Sequence, residues 1–343
     1  MLYLNAIPNS PMPKSRWKAI VSGYTLLAII MTVMLFSSCD DNPNGSAIPT
    51  CIHTSLELKT QTSLTNAIYT PTKGLPATWF VVNIYKGNES GTPVYSTQVG
   101  VEKDTSSIAT LHLDDLSLQP GRYNVVAWAM AWDKTDSTYT GFNFTDLSNV
   151  TFSPSYYGNS NAKECYEARF NIDVPDTLTS DTVKFNETMH TPMAAVQIVT
   201  TDADAFLQSQ SPSTATRAQL SDYSIKWQYD LYCPTGYNVL QGVPNKSETG
   251  IGFSSPLTAI SSQEASLGFD YIFVNGEKSN VTLSLYVIDN KTRKVVNQYM
   301  GITVPLERGK ATIIKDNFLT NKKDSGAGIN PDFNGNIDIT IPD

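Results

Sequence analysis

Ser224-Ile225-Lys226-Trp227-Gln228-Tyr229-Asp230-Leu231 alternates polar and apolar residues without a break. Successive side chains of an extended chain point to opposite faces, so a period of two predicts a half-buried β-strand. Working outward, the pattern repeats. Val281 to Ile288 (VTLSLYVI) alternates again, Leu267 to Val274 (LGFDYIFV) is an apolar run, and Ala194 to Val199 (AAVQIV) reads as a further strand. Toward the N-terminus, Leu56-Glu57-Leu58-Lys59 alternates and Trp79 to Tyr85 (WFVVNIY) is rich in β-formers, with a turn over Lys86 to Gly91. Gln119-Pro120-Gly121 is a turn ahead of Arg122 to Ala129 (RYNVVAWA), which puts Tyr123, Val125, Ala127 and Ala129 on one core-facing side. His112 alternates with Leu111 and Leu113 and is expected in solvent. Ala203 to Gln208 suggests a short helical turn, but no stretch shows the i, i+3, i+4, i+7 spacing of a long helix. Such a sequence builds antiparallel β-sandwiches joined by hairpins.

The chain has 343 residues, with 32 acidic against 24 basic side chains and a net charge of −8. Residues 1–38 hold Lys14, Arg16 and Lys18 and no acid, so their removal leaves 21 bases against 32 acids, or −11. An acidic body argues against nucleic acid as a partner. Hydrophobic residues make up 41% and charged ones 16%, enough for a core and too few charges for a coiled coil or an acidic tail. About 300 residues suit two domains by the usual size range. The expected organisation is a signal peptide over 1–38, a tether over 39–51, and β-sandwich domains over 52–187 and 188–343.

The N-terminus reads as an address. A basic segment precedes Ala19 to Phe36, an uncharged apolar run of 18 residues, which ends in Ser37-Ser38-Cys39. Leu35-Phe36-Ser37-Ser38-Cys39 resembles a bacterial lipobox, with Phe36 where leucine is usual. The resemblance implies a diacylglycerol on Cys39 and cleavage just before it. The run is also of a length that spans a membrane, and its small-residue ending before cysteine favours the cleaved reading. Asp40 and Asp41 follow, then a polar tether; acids at that place resemble the signal that exports lipoproteins of Bacteroides-like bacteria to the outer face of the outer membrane. With Cys39 lipidated, Cys51, Cys165 and Cys233 remain, an odd number that permits one disulfide at most.

Residues 304–320 (VPLERGKATIIKDNFLT) and Gly328 to Gly335 (GINPDFNG) resemble the C-terminal signature of fimbrillin-like lipoproteins of Bacteroides and relatives. Tyr123 to Trp128 (YNVVAW) looks like a strand of that family's first domain, and Met189 to Ala194 (MHTPMA) like its junction, with Thr191 where arginine is common. The resemblance implies two tandem transthyretin-like or immunoglobulin-like sandwiches on a lipid anchor, serving as a fimbrial component or surface adhesin. Partners would be the membrane, other fimbrial subunits joined by strand addition, and host or bacterial surface ligands. Stalk subunits of that family polymerise after a protease cuts behind an arginine and removes the first strand. This chain has no arginine between Cys39 and Arg122, which favours an anchor or stand-alone role.

Candidate sites follow from these readings. Asn336 to Ile341 (NIDITI) sets Ile337, Ile339 and Ile341 on one side of a strand that either completes its own sandwich or pairs with another subunit. Residues 133–160 are expected to form a long irregular insertion, where Tyr156 and Tyr157, with Trp132 nearby, are candidates for a sugar platform or for plugging the end of a sandwich. Glycan binding linked to nutrient uptake is therefore the alternative function. Catalysis is not expected. There is no Gly-x-Ser-x-Gly, His-Glu-x-x-His or phosphate loop. Asp114 and Asp115 are consecutive and expected on opposite faces. Asp332-x-Asn334-x-Asn336-x-Asp338 spaces oxygens by two, but Gly335 sits at the fourth position and no chelating glutamate follows, so neither metal nor cofactor is implied.

Overall fold

The computed structural model describes residues 51–70, 74–87, 91–135, 141–176, 182–211, 217–321 and 336–340, which form layered β-sheets. The first half contains β1 (Ile52–Thr60), β2 (Ala77–Lys86), β3 (Tyr95–Glu102), β4 (Thr110–Leu118), β5 (Gly121–Trp132), β6 (Phe142–Asn143), β7 (Val150–Phe152), β8 (Cys165–Val174) and β9 (Val183–Met189). The second contains β10 (Met193–Thr200), the helix α1 (Ala203–Gln210), β11 (Tyr223–Tyr229), β12 (Cys233–Asn238), β13 (Val243–Glu248), β14 (Gly252–Pro256), β15 (Thr258–Ala259), β16 (Ala265–Phe273), β17 (Lys278–Asp289), β18 (Val295–Glu307), β19 (Ala311–Asp316) and β20 (Asn336–Thr340).

Each half is a sandwich of two sheets. In the first, the order β4-β1-β9 faces the order β3-β2-β5-β8; in the second, β15-β16-β10-β19-β20 faces β14-β11-β17-β18. The wiring is duplicated. The opening strand of each half, β1 or β10, lies between an antiparallel neighbour and a parallel one, β9 or β19. The sandwiches are therefore not purely antiparallel as expected. A parallel neighbour requires the chain to cross over the sandwich and return, a connection that local patterning does not reveal.

The alternating stretch that opens the sequence reading is β11. Ile225 and Trp227 are fully buried and Tyr229 nearly so, while Lys226 is exposed. The strand ends at Tyr229, however, and Leu231 turns outward at 64% exposure. In β5 the expected face, Tyr123, Val125, Ala127 and Ala129, packs on Phe80 and Val82 of β2 and Leu56 and Leu58 of β1. Burying each large apolar side chain contributes about 1.5–3 kcal/mol. The opposite face, Val126, Trp128 and Met130, is buried too, in a third cluster drawn from both halves.

That third cluster encloses a sheet neither half completes alone. The order β13-β12-β7-β6 joins a hairpin from residues 142–152 to one from residues 233–248, through Gly236 opposite Thr151 and Tyr237 opposite Val150. The stretch 133–160, expected to be irregular, thus contains two short strands. Two or three residues are too few to show a period, and their partner lies about 90 positions away.

The expectation for Asp114 and Asp115 also changes. Asp115 has φ 59°, and the register with β1 shifts between Thr54 and Leu56. This bulge lets Leu113 and Leu116 both face the core and leaves both aspartates in solvent. His112 is exposed as expected, 3.5 Å from Glu57.

Candidate functional site

The terminal strand β20 runs antiparallel to β19, with Ile337 opposite Ile314 and Ile339 opposite Thr312. It is the last strand of its sheet and has one neighbour among the described residues. Ile341 lies outside them. The first strand is placed differently: β1 is paired along both edges, and Ile52, Leu56 and Leu58 are at most 3% exposed. Arg122 begins β5. Cys39, Asp40, Asp41, the signal segment and the 332–335 part of the oxygen-spaced motif lie outside the described residues. No helix among the described residues is long and apolar enough to cross a membrane.

Two polar assemblies occupy the junction between the halves. At the first, Glu167 on β8 accepts hydrogen bonds from Arg308, which follows β18, and from the Tyr237 hydroxyl of β12 at 2.8 Å. Arg308 also reaches the Tyr237 oxygen. Glu167 is 7% exposed, and burial pushes its carboxyl above the usual range while Arg308 and Tyr237 pull it back. Its backbone pairs with His190, whose ring nitrogen Nδ1 is 3.0 Å from Gln61. A cleft of about 380 Å³ opens here, lined by Gln61, Glu167, Arg169, His190, Glu277 and Arg308. Its charges are mixed: Glu167 pairs with Arg169 on its own strand and with Arg308, and the second pair ties β8 to the segment after β18.

At the second assembly, the candidate sugar residues separate. Trp132, half-buried at the end of β5, meets Trp79 edge-on with centroids 5.2 Å apart, and its ring lies over Gly100, where a Cβ would come within 2.2 Å of it. Tyr156 and Tyr157 instead gather on Phe152, at 5.0 and 6.1 Å. Part of the Tyr156 ring reaches the surface, but its hydroxyl is buried and donates to Asp270 at 2.5 Å. Tyr157 donates to the Gly141 carbonyl at 3.1 Å.

The sequence reading missed the charges these rings surround. Lys163 and Asp270 form an ion pair with neither side chain exposed. The available signal was Asp270 itself, the lone charge in the apolar run Leu267 to Val274. A buried charge persists only if paired or neutralised, so an aspartate there calls for a hidden partner. Cys233 sits beside the Tyr156 hydroxyl, 3.5 Å away, and burial pushes its thiol up to about 12. Cys165 is likewise a buried free thiol.

With this geometry in view, comparison places the chain. The model of a family of unknown function, DUF6562, matches residues 47–342. The chain belongs to that family. No curated protein matches the sequence. Among solved structures, this DUF6562 chain is similar to the fimbrial anchor protein Mfa2 from Porphyromonas gingivalis, at 8% identity and a TM-score of 0.37, over 77% of this chain and 90% of that one. It is also similar to a fimbrial assembly protein from Parabacteroides distasonis, at 9% identity and a TM-score of 0.36, over 77% and 91% of the two chains.

Proposed function

We propose that the chain is a non-enzymatic surface lipoprotein of the fimbrial anchor or adhesin type, held at the outer membrane through Cys39 and engaging neighbouring subunits through a sheet edge. The observation that carries this reading is the contrast between the two ends of the folded body. The strand nearest the tether, β1, is locked between β4 and β9, with its apolar side chains in the core. The terminal strand, β20, covers one edge of β19 and has a single neighbour among the described residues. An edge strand is the element that can pair with, or be exchanged for, a strand of another chain. A fixed tethered end and an exchangeable far end suit a protein that stays on the cell and holds the next component.

The test uses cells carrying the full chain. A clickable fatty acid should label the wild-type protein and not Cys39→Ser, and external protease should digest the wild type on intact cells. Removal of residues 336–343 should leave labelling intact and abolish co-purification of partner subunits. Labelling that survives Cys39→Ser, or co-purification that survives the truncation, would overturn the reading. Saturable binding to a glycan array, lost in Trp132→Ala, would replace it with the sugar-binding alternative.

A further inference from the structure

Lys163 closes the 3-10 turn Asn161–Lys163 ahead of β8, and Asp270 sits within β16, so one half of the chain supplies an amine and the other a carboxyl. Neither side chain is exposed, and Lys163 Nζ lies 2.5 Å from Asp270 Oδ1. Rings box in the amine: it is 4.4 Å from the Phe152 centroid, 4.0 Å from Tyr156 and 6.0 Å from Tyr157. The second carboxyl oxygen, Oδ2, accepts hydrogen bonds from the Tyr156 and Tyr229 hydroxyls at 2.5 and 2.7 Å. The Tyr271 N–H donates to Oδ1 at 2.8 Å. We propose that Lys163 and Asp270 condense to an intramolecular amide that bolts the two halves of the chain together.

The pair already contains every atom the reaction needs. In a dry site two opposed charges are costly to maintain, and a proton passing from Nζ to Oδ1 leaves a neutral amine beside a neutral acid. Burial pulls the lysine in that direction, with Asp270 opposing. The amine lone pair attacks Cγ, and the carbonyl electrons move onto Oδ2. The hydroxyls of Tyr156 and Tyr229 face that oxygen and act as an oxyanion hole. Burial and the Asp270 charge push both phenols well above their usual range, so they keep the protons they donate. As the intermediate collapses, the C–Oδ1 bond breaks and Oδ1 leaves as water. Two of the three original ammonium protons leave with it, and the third stays as the amide N–H. Nothing is oxidised or reduced, and no co-reactant is consumed. Folding supplies the drive by holding the two groups in contact, where the effective concentration far exceeds that in solution. The product is uncharged and retains both tyrosine hydrogen bonds on its carbonyl.

Intact-mass measurement of the folded full chain, denatured and reduced beforehand, reads the bond directly. The wild type should be lighter by one water than its processed sequence requires, and a tryptic digest should contain a branched peptide joining the segments around 163 and 270. Lys163→Arg keeps the charge and should retain its full mass, whereas Asp270→Asn should still close, losing ammonia in place of water. A folded wild type that keeps its full mass after prolonged incubation overturns the proposal, as does a water loss that maps elsewhere.

Discussion

Glu167 is buried, and Arg308 is the strongest influence opposing the cost of its charge. Arg308→Ala strands that carboxylate and should cost about 3–5 kcal/mol, as removal of one partner of a buried pair does. Its carboxyl, already raised from 4.5, then rises further. The folded state would hold a proton that the unfolded chain has released, so the variant should lose stability as pH climbs upward from about 4.5. Urea titrations at stepped pH check this, and Glu167→Gln in the same background should recover part of the loss. The buried phenols of Tyr229, Tyr237 and Tyr271 act at the other extreme. Burial raises all three above 10.0. The unfolded chain ionises first, so stability is intact below about pH 10 and should fall above it, by up to about 1.4 kcal/mol per pH unit for each group. Melting curves from mildly to strongly alkaline pH should show this fall, and Tyr229→Phe should make it shallower.

The strand β5 shows how an element is read from sequence and where that reading stops. One face, from Tyr123 to Ala129, is marked at its start, where the polar Arg122 and Asn124 alternate with Tyr123 and Val125. The other face is equally buried, but alternation disappears when both sides are apolar, and nothing local says that Trp128 meets Phe142 at 5.7 Å and Tyr237 at 6.1 Å. Trp128→Ala should cost about 3–5 kcal/mol in equilibrium unfolding, by cavity formation in the shared cluster. The shift should appear even though Val125 and Ala127, on the far side of the same strand, keep their packing. The hairpin β6–β7 is illegible for a related reason: β7 gains its second neighbour from β12, a pairing with no local signature. The bulge at Asp115 was illegible because a single residue in the left-handed region resets the facing of those after it. The candidate site divides in the same way. Tyr156 and Tyr157 were visible as an aromatic pair, while the lysine and aspartate they enclose come from different halves and meet only on folding.

At the scale of the molecule, the same wiring appears twice, and in both copies the opening strand lies beside a late strand, β9 or β19, and runs parallel to it. Consider tension applied between the start of β1 and the end of β19. Parallel neighbours drawn in opposite directions put every rung of the ladder between them under shear at once, whereas a hairpin opens one rung at a time. The β1–β9 and β10–β19 ladders would each bear that tension in the sturdier geometry, so each sandwich yields only when all its rungs give way together.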